Sequence, residues 1–203
     1  MDTLKKALLD NSVLVNFDCD RSAMIYATLF TNEDFLQLIE LGGEKLRKEV
    51  DCYYIYNTYN NSLPIKNENG KFICDEKYYS HPLCGVNWIV VKKIAELLGG
   101  RLPFKSEMDF ITKNISDDQQ INTKEMYGTT NSVKEFPPDK YGLYDISGNV
   151  AEWCEDSNPE YSVEKLVYGV SWNNDFLGNR FNYRYKWEHM GAVSVGFRIV
   201  WDI

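Results

Sequence analysis

The segment Lys140 to Asp156, KYGLYDISGNVAEWCED, constrains this chain more than any other. It holds Gly142 and Gly148 at turn positions, the carboxylates of Asp145 and Glu152, and an apolar step into Trp153. Gly148, inside Asp-Ile-Ser-Gly-Asn, lets the backbone take a positive φ without a Cβ penalty. Such a loop turns carbonyl oxygens inward. The main-chain oxygens of Gly148 and Val150, with the carboxylates of Asp145 and Glu152, would form an oxygen-only shell suited to calcium. The alternative is an Asx turn whose acids pair with arginines.

A chain of 203 residues with 44% hydrophobic content can bury one good core, so a single domain over residues 1–203 is expected. The net charge of −8 argues against a nucleic-acid surface or an anionic membrane as the main partner. No apolar run is long enough to span a bilayer, and Asp10 and Asn11 interrupt the N-terminal apolar stretch, so neither a membrane span nor a signal peptide is expected. The five cysteines (Cys19, Cys52, Cys74, Cys84 and Cys154) are odd in number and form no CxxC pair, which fits reduced thiols and a cytoplasmic location. Surface display by another route stays open.

Patterning along the chain suggests short mixed elements. Thr3 is placed to cap a first helix through Leu4, Leu8 and Leu9, followed by strands at Val13–Phe17 and Ala23–Leu29. Thr31 is expected to cap a helix whose apolar stripe is Phe35, Leu38, Ile39 and Leu41 and whose end is Gly42. Tyr53–Tyr56 and Lys71–Cys74 could pair across Asn67–Gly70. Asn87 should cap a helix Trp88–Leu98 that stops at Gly99-Gly100, and a short helix should follow Pro103. Residues 114–139 lack periodicity. Strands are expected at Leu166–Trp172 and Gly196–Val200, with Trp153, Trp172 and Phe197 in the core.

The phrase GLYDISGNVAEWCED resembles the signature of the formylglycine-generating enzyme (sulfatase-modifying factor) family. GGRLPFKSE at Gly99–Glu107, VYGVSW at Val167–Trp172 and GFRIV at Gly196–Val200 echo it in the family's order. The resemblance implies an α+β fold, the family's variant of the C-type lectin fold, with short helices, antiparallel strands and much irregular structure. It also implies a calcium site near residues 114–139, for which Asn122 is the one plausible ligand in this chain.

The family's enzymes oxidise a substrate cysteine with two copper-binding cysteines placed shortly after a GGSW-like phrase. Here that segment is GVSWNNDFLGNRFNYRYKW, and no cysteine follows Cys154. Copper(I) needs soft sulfur ligands that asparagine and phenylalanine cannot replace. A second branch binds non-haem iron through histidines, but this chain has only His81 and His189, and each is read more simply as a satisfied polar residue. Neither copper nor iron is therefore expected, and no Ser-His-Asp arrangement, Walker loop or dinucleotide glycine pattern is present. No catalytic residue is assigned. A divergent enzyme of this superfamily is the alternative reading.

A third branch consists of the variable proteins of diversity-generating retroelements, which display a hypervariable ligand-binding surface near the C-terminus. The spacing from Trp172 through Arg180 and Arg184 to Gly196-Phe197-Arg198 resembles that branch. Adenine mutagenesis of AAY codons can yield Asp175, Phe176, Leu177, Tyr183, Tyr185, His189, Ala192, Val193 and Ser194, but not Lys186, Trp187, Glu188 or Met190. Aromatic, arginine and asparagine side chains are also what a paratope uses. The resulting expectation is a binding region at about residues 173–195. Asp175, Phe176, Leu177, Tyr183, Tyr185, Trp187, His189, Ala192, Val193 and Ser194 would meet a protein or surface ligand, with Arg180 and Arg184 as framework.

Overall fold

Thr31 opens the longest helix through a reciprocal cap. Its hydroxyl accepts from the Asp34 amide at 3.1 Å, and the Asp34 carboxylate accepts from the Thr31 amide at 2.9 Å. Two of the donors that a helix start leaves unpaired are thereby satisfied. The computed structural model describes residues 1–18, 20–54, 63–113, 115, 122, 127–174 and 181–203, with residues 18 and 51–54 as backbone only.

Helix α1 (Asp2–Asp10) buries Leu4 and Leu8 and leads into β1 (Ser12–Asp18) and β2 (Arg21–Tyr26). Met1, not Thr3, occupies the cap of α1. Helix α2 (Asn32–Tyr54) contains Gly43 at φ 65°, so the break falls one residue beyond Gly42 and a second helical stretch follows it. Phe35, Leu38 and Ile39 are buried, but Leu41 is exposed. The hairpin at Asn69-Gly70 pairs β3 (Lys66–Glu68) with β4 (Lys71–Ile73). Tyr53 and Tyr54 belong to α2 instead, and residues 55–62 lie outside the described residues.

Asn87 caps α3 (Trp88–Leu97), its side chain accepting from the Val90 amide at 3.0 Å. Gly99, at φ 71°, ends it: the Gly100 amide donates to Ala95 O and the Gly99 amide to Glu96 O, both at 2.9 Å. Helix α4 (Lys105–Thr112) starts after Phe104, which has no capping oxygen. The Glu107 carboxylate reaches back to the Phe104 amide at 2.8 Å, and Asp156 accepts from the Lys105 amide at 2.7 Å. A poor local cap is thus replaced by one from the same helix and one from across the fold.

Three strands form an antiparallel sheet in the order β1-β2-β9, where β9 is Val200–Asp202. A four-stranded sheet runs β7-β6-β5-β8, from β5 (Ala151–Ser157), β6 (Glu164–Tyr168), β7 (Tyr183–Trp187) and β8 (Val195–Gly196). Its β5–β8 pair is parallel and the others antiparallel. The strand expected at Leu166–Trp172 stops at Tyr168, because Gly169 turns at φ 82°. The last expected strand is divided between β8 and β9. Trp153 and Phe197 are fully buried, whereas Trp172 is only half-buried against Leu29, Leu63, Cys84 and Val150.

Candidate functional site: the organising loop and the β7 edge

Asp139 opens the loop before β5 by accepting from the Tyr141 and Leu143 amides at 2.8 and 2.9 Å. The backbone then takes positive φ at Gly142 (87°), Asp145 (55°), Gly148 (99°) and Asn149 (56°). Glycine enters that region freely, and Asp and Asn are the other residues that tolerate it best. Asn149 pins the turn to its neighbour: it accepts from the Asn131 amide and donates to the Asn131 carbonyl, each at 3.2 Å. Asn122 is buried beside it and donates to Thr129 O at 2.8 Å and to Asn131 Oδ1 at 3.0 Å. It acts there as a polar stitch between segments.

Glu152 points from β5 into the core and meets Arg198. Nε donates to Oε2 at 2.6 Å and Nη2 to Oε1 at 2.8 Å, with both side chains buried. Arg198 Nη2 also donates to Tyr144 O at 3.0 Å, so the guanidinium ties the loop to the C-terminal segment. This is the arginine pairing that was the alternative to calcium. Asp145 differs. Burial pushes its carboxyl up to about 6 against the partial compensation of the Lys134 amide and Arg198. The loop therefore offers one committed carboxylate, Glu152, and one poorly compensated, Asp145. Among the described residues no three His, Cys, Asp or Glu side chains converge on a point.

Strand β7 holds Tyr183, Tyr185 and Trp187, three of the residues expected to meet a ligand. Tyr183 and Trp187 are exposed, with Tyr183 edge-on to Tyr185 at 5.9 Å and Trp187 edge-on to an exposed His189 at 5.7 Å. Lys105 lies 4.7 Å over the Tyr183 ring. Four of the expected residues lie deeper than Tyr183 and Trp187. Tyr185, central in the strand, is half-buried against the cluster containing Leu166 and Tyr168, whereas Tyr183 and Trp187 on the same face lie at the strand's ends and are exposed. Ala192 and Val193 pack inward, and Ser194 is buried with its carbonyl accepting from the Ala151 amide at 3.0 Å. Asp175, Phe176, Leu177 and Arg180 lie outside the described residues. Arg184 is half-buried and donates to Gly169 O at 3.3 Å.

Sequence reasoning missed Tyr161 and Val163, which are exposed where β6 begins. The Glu188 amide donates to Val163 O at 2.8 Å, which brings them to the Trp187 end of β7. Two exposed apolar residues in a charged connection carry no periodic signal. A cavity of about 750 Å3 beside Trp172 and Val193, lined also by Cys74, Cys84, Lys66 and Lys77, was equally invisible. It forms from segments far apart in the chain. Burial pushes the Cys84 thiol up to about 12 and the Cys74 and Cys154 thiols upward too, so none is poised as a thiolate. His81 bonds to Thr130 Oγ1 at 3.0 Å, as a satisfied polar residue should.

Short helices, largely antiparallel sheets and long irregular loops make up a C-type lectin-like fold. Its similarity to solved structures shows the same. Variable protein 1 of Treponema denticola matches with a TM-score of 0.60 at 18% identity, over 95% of this chain and 92% of that one. PvdO from Pseudomonas aeruginosa matches with a TM-score of 0.60 at 16% identity, over 90% and 81%. The chain belongs to the sulfatase-modifying factor enzyme 1-like domain family, whose pattern spans residues 19–203. It is 30% identical over 201 residues to serine/threonine-protein kinase pkn1 of Chlamydia pneumoniae, and 33% identical over 198 residues to the pkn1 of Chlamydia caviae. These alignments cover 85% and 83% of this chain but only 32% and 31% of the relatives, so the chain spans about a third of their length.

Proposed function

We propose that this chain is a non-catalytic binding module of the retroelement variable-protein type, whose C-terminal run displays a diversified surface to a protein partner. The observation that carries the reading is the display of Tyr183 and Trp187. Both project from a hydrogen-bonded strand, in a sheet whose inner strand holds the fully buried Trp153. Rigid aromatic area on a fixed scaffold is what interface hot spots are made of. The fold shared with Treponema denticola variable protein 1 supports the scaffold. The chain has no G-x-G-x-x-G pattern, so the kinase naming of its relatives carries no phosphoryl-transfer reading here. Cytoplasmic residence belongs to the same proposal, supported by the free thiols of Cys74, Cys84 and Cys154. A structural calcium at the organising loop does too: Asp145 supports it, and the Glu152–Arg198 pair weighs against it.

Two measurements test this. The gene should lie beside a reverse transcriptase and a near-identical copy of its own 3′ end. A protein partner captured by the wild type should be lost by a Tyr183→Ala/Trp187→Ala variant that melts like wild type. Retained capture by that variant removes the reading. The divergent-enzyme alternative rests on the cavity beside Trp172, and a turnover that Trp172→Ala abolishes would favour it.

A further inference from the structure

Strand β7 is the edge of its sheet among the described residues, and its two sides differ in charge. Arg184 and Lys186 share one side, opposite Val167 and Lys165 of β6. No carboxylate lies within ion-pair distance of either among the described residues. Lys165 takes the nearby Glu188, at 3.5 Å. Burial depresses both Arg184 and Lys186, and Arg184 further depresses Lys186. Among the described residues these are two half-buried cations without an acidic partner, in a chain of net charge −8.

The hydrogen-bond register fixes what the free edge offers. The Gly169 amide donates to Asn182 O and the Glu188 amide to Val163 O, both at 2.8 Å, at the two ends of the β6–β7 pairing. Bonded and non-bonded positions alternate along an antiparallel pair. Arg184 and Lys186 therefore bond toward β6, while Tyr183, Tyr185 and Trp187 turn their amides and carbonyls outward. The Tyr183 amide is taken by its neighbour Asn182 Oδ1 at 2.8 Å, and the Trp187 carbonyl by the Met190 amide at 3.0 Å. The Tyr185 amide and carbonyl have no partner among the described residues.

We infer that β7 accepts an added antiparallel strand from a partner segment in which acidic and apolar residues alternate. The inference rests on the binding-module reading above and gives its partner a chemistry. Side chains facing each other across a strand pair lie on the same side of the sheet. An alternating segment therefore brings carboxylates to Arg184 and Lys186, and apolar groups to Tyr183, Tyr185 and Trp187. Main-chain bonds to Tyr185 supply the docking, and the alternating side chains supply the selectivity. A second copy of this chain is the wrong occupant. Antiparallel β7–β7 pairing centred on Tyr185 would set Arg184 of one copy against Lys186 of the other, and facing like charges destabilise a strand pair.

The probe is a synthetic peptide of alternating Glu and Val. Its controls are a block peptide of the same composition, an alternating Lys–Val peptide, and the Glu–Val peptide N-methylated at every second amide. Wild type should bind the Glu–Val peptide saturably, and each control at least about tenfold more weakly. Arg184→Gln/Lys186→Gln should weaken the Glu–Val peptide by a similar factor. Lys186→Gln alone serves if the double variant melts early. Equal binding of the block or N-methylated peptide, no binding by wild type, or indifference to Lys186→Gln overturns the inference. Partner capture that still depends on Tyr183 and Trp187 after such a failure leaves the binding-module reading standing. Peptide binding without that dependence removes the module reading instead.

Discussion

Arg198 and Glu152 join the two most distinctive phrases of the sequence in one buried, two-point ion pair, Nε–Oε2 2.6 Å and Nη2–Oε1 2.8 Å. The guanidinium also reaches Tyr144 O at 3.0 Å, so it holds the organising loop against the segment between β8 and β9. Removing one partner of such a pair leaves a charge buried and uncompensated, which costs about 3–5 kcal/mol. Arg198→Met should therefore lower stability by about that amount in chemical denaturation. A loss within the range of an ordinary surface substitution would show that the pair does not close the fold.

Asp145 makes stability depend on pH. Its carboxyl is pushed from 3.8 up to about 6 in the folded chain, with burial the main cause. Between those values the folded chain binds a proton that the unfolded chain has released, so stability falls as pH rises through that window. Above it the full penalty is present. Asp145→Asn should raise the melting temperature at neutral pH and flatten this part of the pH profile relative to wild type. An unchanged profile would mean that Asp145 is compensated.

Calcium is tested on the same side chain. A cation that binds only the folded chain stabilises it by mass action. Added calcium should raise the wild-type melting temperature and chelator should lower it, with Asp145→Asn insensitive to both. Wild-type melts indifferent to both would leave the loop closed by Arg198 and its Asx turn alone.

The aromatic residues of β7 should separate by burial. Tyr183→Ala and Trp187→Ala each remove an exposed ring and should change stability by less than about 0.5 kcal/mol. Tyr185→Ala removes a half-buried ring from the cluster with Leu166 and Tyr168, and should cost about 1–2 kcal/mol. Equal effects at all three positions in thermal and chemical melts would contradict the difference in burial along this one face of β7.

No cysteine follows Cys154, and burial raises the described thiols. Incubation with a sulfatase-type Cys-x-Pro-x-Arg peptide, with or without copper, should therefore yield no formylglycine by mass spectrometry. Product above a no-protein control would reinstate the family's chemistry.

Local signals determined much of this protein. Thr31 with Asp34, Asn87, Gly99 and the apolar spacing of Phe35, Leu38 and Ile39 specify helix starts, stops and faces, because those preferences act within one or two turns. The loop around Gly148 was legible for the same reason: Asp, Gly and Asn are the residues that tolerate its backbone. Its phrases also place the chain in its family. Tertiary structure decided where the charges go. Nothing local to Glu152 distinguishes a calcium ligand from a partner for Arg198, because the guanidinium arrives from a distant segment. The same holds at β7, where Tyr183, Tyr185 and Trp187 share one face and only packing on Leu166 and Tyr168 leaves Tyr185 half-buried between two exposed rings. Phe104 lacks a cap in the sequence, and Glu107 and Asp156 supply one in space. Backbone preference is a local energy. Burial, ion pairing and edge exposure depend on which distant segments meet, and that is set by the packed fold.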